Sequence, residues 1–155
     1  MNTIKFYDPR LGAFAGLSNL HPRAVTVDDV SYATPEHAYQ VAKARDLAVR
    51  NWLAAAPTPE LVAAAGDALA EHETVEDWHA THVAAMEKIV RAKFDQHADL
   101  RTLLLSTGTA KIVEWAPEDS PVARFWGEYE GLGRNTLGTL LMRLRDEYRD
   151  ATLSG

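Results

Sequence analysis

Cysteine is absent from all 155 residues, which excludes disulfides, thiolate zinc sites and cysteine nucleophiles at once. No apolar run approaches the roughly 18 residues needed to cross a bilayer. The opening Met1-Asn2-Thr3-Ile4-Lys5 lacks the apolar stretch of a secretory signal. Positive charge is also short: 16 Lys and Arg face 22 Asp and Glu, for a net charge of -6. Such a balance opposes tight, sequence-independent binding to phosphate backbones, though a local basic pocket for one phosphorylated ligand stays compatible with it. Also missing are a GxGxxG turn after a strand, a GxSxG elbow and an HExxH pair. The expectation is small-molecule chemistry in a reducing, cytoplasmic setting, with no membrane association.

What is present is ordinary for a globular chain: 46% apolar and 25% charged residues, enough to bury one core, so residues 1–155 are read as a single domain. Ile4 to Tyr7 is β-prone, and Val25-Thr26-Val27 with Val30-Ser31-Tyr32 flank Asp28-Asp29 like a hairpin. From Thr34 the pattern becomes helical. Thr34-Pro35-Glu36 supplies an N-cap, a proline at the first helical position and an acid in the first turn. Thr58-Pro59-Glu60 repeats that start for a helix to about Ala70. Residues 74–77 open a third helix, with Val83, Met86, Ile89, Val90 and Phe94 at helical spacing. A short helix is expected over Asp99–Leu105, a strand over 111–115, a long loop after it, and a last helix from about Thr136 to Tyr148. The fold class is therefore α+β, mainly helical, with a few short strands.

Three constellations hold groups capable of chemistry. At about 100° per residue, Glu36, Gln40 and Lys43 fall within roughly 60° of one another, with Ala38, Val41 and Ala42 opposite. A carboxylate, an amide and an amine in a row suit a polyhydroxylated ligand, and equally suit a solvated polar face. The loop from Asp119 to Asn135 concentrates aromatics, carboxylates and glycines before a helix. It fits either a ligand loop or a surface loop anchored by a buried tryptophan. His79 and His82, at i and i+3, lack any closed ligand set, so no metal is expected.

Taken together these segments resemble the NADAR superfamily, and in particular its YbiA-like N-glycosidases. Phe14 with Leu17-Ser18-Asn19-Leu20 and Pro22 is similar to the family's SNF-and-proline segment. Thr34 to Ala44 resembles its T-x-E-H-x-x-Q-x-x-K-A helix. Trp78, Met86 and Lys93-Phe94 fit its W…M…K-F stretch, and Leu103-Leu104, Thr107-Gly108 and Glu114 fit L-L-x-T-G…E. Trp126-Gly127, Gly133, Asn135, Leu137-Gly138, Leu141-Met142 and Arg145 fit its W-G…G-x-N-x-L-G-x-x-L-M-x-x-R ending. The sequence departs from the pattern in three places. Asp119 lies seven residues before Trp126, where the family has an acid three before. Glu128-Tyr129 follows Gly127 without the usual glycine. His82 stands where an arginine is usual.

The resemblance implies a YbiA-like fold and cleavage of an N-glycosidic bond to ribose. The substrate would be a phosphoribosyl intermediate of the riboflavin pathway or ADP-ribosylated guanine in nucleic acid. The alternative is a non-catalytic module that binds an ADP-ribose-like ligand. Breaking a C1–N bond gives the sugar oxocarbenium character, so a carboxylate is needed close by. By resemblance, Glu36 stabilises that cation, Lys43 is a nucleophile or an anion-binding group, and Asp119 is the candidate acid or base. Ser18, Asn19, Gln40, Trp78, Trp126, Gly127, Tyr129 and Asn135 are the candidate substrate contacts, and no cofactor is called for.

Overall fold

The computed structural model of the protein describes residues 2–154. It is an α+β chain, mainly helical, that condenses into two compact units: Asn19–Gln96, and the residues up to Ser18 together with those from His97 onward.

In the Asn19–Gln96 unit, an antiparallel hairpin pairs Val25–Val27 with Val30–Tyr32, Val25 lying opposite Tyr32. Its turn residues Asp28 and Asp29 both take positive φ, at 50° and 66°, the geometry that matches the twist of the flanking strands. Helix α1 (Pro35–Lys43) follows, then α2 (Leu47–Ala54), α3 (Pro59–Asp67) and α4 (Trp78–Gln96). Thr34 and Thr58 cap their helices as expected, their side chains accepting from the backbone N–H of His37 and Leu61. Helix α2 was not expected; Asp46 stands at its N-cap position but makes no side-chain cap bond there. Packing holds it instead: Val41, Ala44, Leu53 and Val62 from α1, α2 and α3 form one buried cluster.

His37 secures the start of α1. Its Nδ1 pairs with the Thr34 hydroxyl at 2.8 Å, and its Nε2–H donates to the Ala56 carbonyl at 2.9 Å. A carbonyl only accepts, so Nε2 carries a hydrogen. The other end of α1 is tied down as well. Val75 donates to the Lys43 carbonyl and Arg45 to that of Glu73, each at 2.9 Å, around an Ala44–Thr74 bridge.

In the second unit, Thr3–Phe6 and Lys111–Glu114 form a parallel pair with Thr3 opposite Lys111. Helices α5 (Ala98–Ser106), α6 (Pro121–Trp126) and α7 (Thr136–Ser154) complete it, with α7 lying on Lys111–Glu114 and on α5. Helix α6 falls inside the stretch expected to be a loop, and α7 runs past the expected end at Tyr148. The edge of Lys111–Glu114 away from its partner strand is closed by a side chain. Asn135 donates through Nδ2 to the Ile112 carbonyl at 2.8 Å and accepts the Glu114 N–H at 3.1 Å. Arg145, buried on α7, donates to the Thr107 hydroxyl at 3.0 Å and the Ala110 carbonyl at 2.8 Å.

Helix α7 approaches that strand through Gly138, where a Cβ would stand 2.2 Å from the Ile112 carbonyl oxygen. Backbone cannot yield as a side chain does. Gly138→Ala is expected to cost about 2–3 kcal/mol of stability through overpacking, read as a lowered urea midpoint; an unchanged midpoint would contradict this close approach.

Candidate active site

The polar row on α1 does not face water. Gln40 is 3% exposed and Glu36 only partly so, and the row packs towards α3. Gln40 donates from Nε2 to Glu36 Oε1 at 2.8 Å. Lys43 donates from Nζ to the Gly66 carbonyl, also at 2.8 Å. Gly66 is what makes room: a Cβ there would stand 1.8 Å from Gln40 Oε1. The carboxylate, amide and amine thus form a linked set against the last turn of α3, and the solvated-face alternative does not hold.

Electrostatics single out Glu36. Burial raises its carboxyl from 4.5 to about 7. The Gln40 hydrogen bond and the Lys43 charge pull the other way, while Asp67 adds to the rise. Glu36 keeps a window of accessible surface even as the surrounding atoms strip its carboxyl of water. Asp67, at the end of α3, is itself raised by burial and lowered by Lys43. Two carboxyls and one amine therefore share this corner.

Asn19 joins the set through the backbone, its carbonyl accepting the Glu36 N–H at 3.1 Å. Its Nδ2 lies 3.2 Å from the Met86 sulfur. The amide oxygens of Asn19 and Gln40 are both buried without a hydrogen-bond partner, a costly condition that for Asn19 a ligand donor would relieve. Trp78, the first residue of α4, lies with its ring 5.3 Å from that of Tyr39.

The other sequence-derived candidates belong to the second unit. Ser18 is buried and ends the short 3-10 turn Ala15–Leu17, its N–H bonded to the Ala15 carbonyl. Asp119 is exposed and forms a two-point pair with Arg124, at 2.6 and 2.9 Å. That guanidinium holds its carboxyl below the usual range, so it stays ionised at neutral pH. Trp126 packs edge-on against Phe125, 4.9 Å between centroids. Gly127 lies where a Cβ would stand 2.1 Å from the Glu114 carbonyl oxygen. Tyr129 opens a tight turn to Leu132, with Arg124 5.9 Å from its ring. It also lines an open cavity of about 420 Å³ with Lys5, Val113, Trp115, Glu128 and Gly131. The amide of Asn135 is engaged at both ends by the strand backbone, so in this unit it acts as scaffold.

Gly66 and Asp67 were missed by the sequence reading. The available signal was one glycine at the end of an alanine-rich helix, the residue that permits close approach. Among the described residues no group of three or more acids and histidines is placed to hold a metal ion. No helix among them is long and apolar enough to cross a membrane.

Comparison with known proteins gives a consistent result. Residues 5–149 match the NADAR domain family. An N-glycosidase of Nostoc punctiforme is 38% identical over 154 residues, covering 96% of this chain and 94% of that protein. The N-glycosidase YbiA of Escherichia coli is 35% identical over 145 residues, 93% of this chain and 87% of that one. The NMR structure of the E. coli protein YbiA superposes with a TM-score of 0.87, at 33% identity, over 99% of this chain and 89% of the other. A riboflavin biosynthesis protein of Vibrio vulnificus is 33% identical over 150 residues, which are 95% of this chain but 39% of that longer protein.

A carboxyl that titrates near 7 when folded and near 4.5 when unfolded makes folding take up a proton between those values. Wild-type stability is therefore expected to fall, relative to Glu36→Gln, as pH rises from about 4.5 to about 7, by on the order of 3 kcal/mol. Above that window the difference should stay level. Urea unfolding of both proteins across this pH range checks it; a pH-independent difference would mean that Glu36 is not desolvated.

Proposed function

The chain belongs to the NADAR domain family, and from that membership and the Glu36 site we propose that it is an N-glycosidase hydrolysing the bond between ribose C1 and a nitrogen. The observation that carries this reading is the Glu36 carboxyl, buried beside Gln40 and Lys43 and shifted to about 7. A carboxylate stripped of water interacts with a nascent oxocarbenium ion more strongly than a hydrated one. The names of the relatives point the same way, since two are N-glycosidases and one is a riboflavin biosynthesis protein. The substrate favoured here is a ribosyl-linked nitrogen heterocycle, of the phosphoribosyl type handled in riboflavin synthesis. The net charge of -6 weighs against a platform for duplex nucleic acid.

In this mechanism Glu36, as the carboxylate, faces the sugar and stabilises positive charge at C1. Gln40 holds the Glu36 carboxylate through its Nε2–H, and the buried amide oxygen of Asn19 accepts from a ribose hydroxyl, which would satisfy it. Lys43 attacks through its amine at C1. As the C1–N bond breaks, Glu36 takes the proton that the attacking amine gives up and passes it to the leaving nitrogen; the C1–O4 ring bond then breaks, its oxygen taking the remaining amine proton, and the opened sugar is held as an imine on Lys43. Water then hydrolyses the imine, returning the amine and releasing the sugar. Proton chemistry is assigned to Glu36, whose carboxyl titrates near neutrality. Asp119, ionised beside Arg124, holds charge instead.

Glu36→Gln and Lys43→Ala are each expected to lower kcat/KM by about a hundredfold or more. Wild-type kcat/KM should rise with pH through about 7 as Glu36 ionises, and Glu36→Gln should lose that limb. Product analysis on a phosphoribosylamino pyrimidine and on ADP-ribosylated guanine, side by side, identifies the substrate class. Release of sugar from neither would leave a binding module. Borohydride reduction during turnover should fix the sugar on Lys43; its absence there in the mass spectrum would remove the imine and leave the lysine as a binding group.

A further inference from the structure

The face of α1 that carries Glu36 and Lys43 carries a fourth residue, Tyr39. It lies three residues after Glu36 and four before Lys43, spacings that put its Cβ about 5–6 Å from each of theirs. The Trp78 ring is next, 5.3 Å from Tyr39 and tilted by 49°. The His82 ring follows, 6.1 Å from Trp78 and tilted by 49° again. Tyr39 is buried, whereas Trp78 and His82 each keep part of their surface open. Three rings therefore step outward from the Glu36–Lys43 row.

The backbone enforces this placement. Residues 73–75 are bonded to the end of α1 through Arg45, Lys43 and the Ala44–Thr74 bridge. Asp77, immediately before Trp78, is held at φ 59°, an uncommon conformation for a residue with a side chain and one found where position matters. Its carbonyl accepts from both Ala80 and Thr81, which fixes the first turn of α4. Trp78 and His82, four residues apart, then project from one side of that helix.

We propose that the Trp78 indole is the platform on which the departing nitrogen heterocycle stacks, and that His82, inclined at its rim, determines which leaving groups are accepted. This rests on the N-glycosidase reading above. That reading leaves the polar row for the sugar, and the adjoining half-open Trp78 indole is a flat, polarisable ring of the kind heterocycles stack on, with the His82 ring inclined beside it. Burial and the neighbouring His79 hold the His82 imidazole below its ordinary range, so at neutral pH the rim of the platform is an uncharged ring. An uncharged ring accepts a neutral planar leaving group and has no particular attraction for a phosphate or a simple alkyl amine.

Intrinsic fluorescence titrations test the platform without requiring turnover. Guanosine should quench the wild-type protein and a Trp52→Phe control, whose indole is exposed on α2. Ribose 5-phosphate should not. Trp78→Phe keeps an aromatic ring and should bind guanosine with its quench lost. In turnover, His82→Ala should raise KM about tenfold for substrates with a heterocyclic leaving group while kcat changes by less than about twofold, and His82→Phe should restore KM. No quench in the wild type, or equal quench in Trp78→Phe, overturns the platform, as does a KM unchanged in His82→Ala. Quench that depends on Trp78, in a protein that cleaves no ribosyl substrate, would instead overturn the N-glycosidase reading and leave the platform standing.

Discussion

The missing β-carbon of Gly66 is the constraint on which the Glu36 site depends. A side chain there would occupy the position of the Gln40 amide, whose oxygen lies 1.8 Å from where that atom would be. Gln40 in turn holds Glu36. The same glycine supplies the carbonyl that accepts from Lys43 and, at 3.2 Å, from the N–H of Leu69. It lies in the last turn of α3, where carbonyls lack helical partners and the helix dipole is negative, the right end to receive an amine. One small residue on α3 thus organises three polar side chains on α1.

The cost of this arrangement falls on Glu36, and the rest of α1 offsets it. A desolvated carboxyl beside Asp67 destabilises the fold at neutral pH. Against it stand the Thr34 cap, the His37 bridge to Ala56, the ties to residues 73–75 and the apolar contacts of Val41 with Leu53 and Val62. Helix α1 is only nine residues long, so propensity alone would not hold it.

Helix starts were legible wherever side-chain capping chemistry is local. Thr34-Pro35 and Thr58-Pro59 marked α1 and α3, and Ser120-Pro121, with Ser120 accepting from Ala123 at 2.9 Å, follows the same grammar. It was passed over because the glycines and aromatics beyond it read as a loop. Helix α2 has Asp46 before it but no proline after that residue and no cap bond, and it is held by Leu53 in the core. At the site, spacing placed Glu36, Gln40 and Lys43 on one face but left open whether that face met water or protein. That question depends on a contact between α1 and α3, which helical periodicity does not encode. The burial of the Asn135 amide against Lys111–Glu114 was invisible for the same reason. The pattern marked Asn135 as special, and only the fold shows that it works on the backbone of its own unit.

That use of Asn135 bears on how the chain behaves in a crowd. Lys111–Glu114 has its parallel partner on one edge; on the other, the Asn135 amide and the backbone of Glu128 occupy the groups another strand would need. A two-stranded sheet is ordinarily an invitation to add strands from neighbouring molecules. Here that edge is filled by a side chain that mimics a peptide unit without being one, and a foreign strand has no ladder to extend. The residue that completes this edge of Lys111–Glu114 therefore also keeps it from pairing with a strand of another molecule.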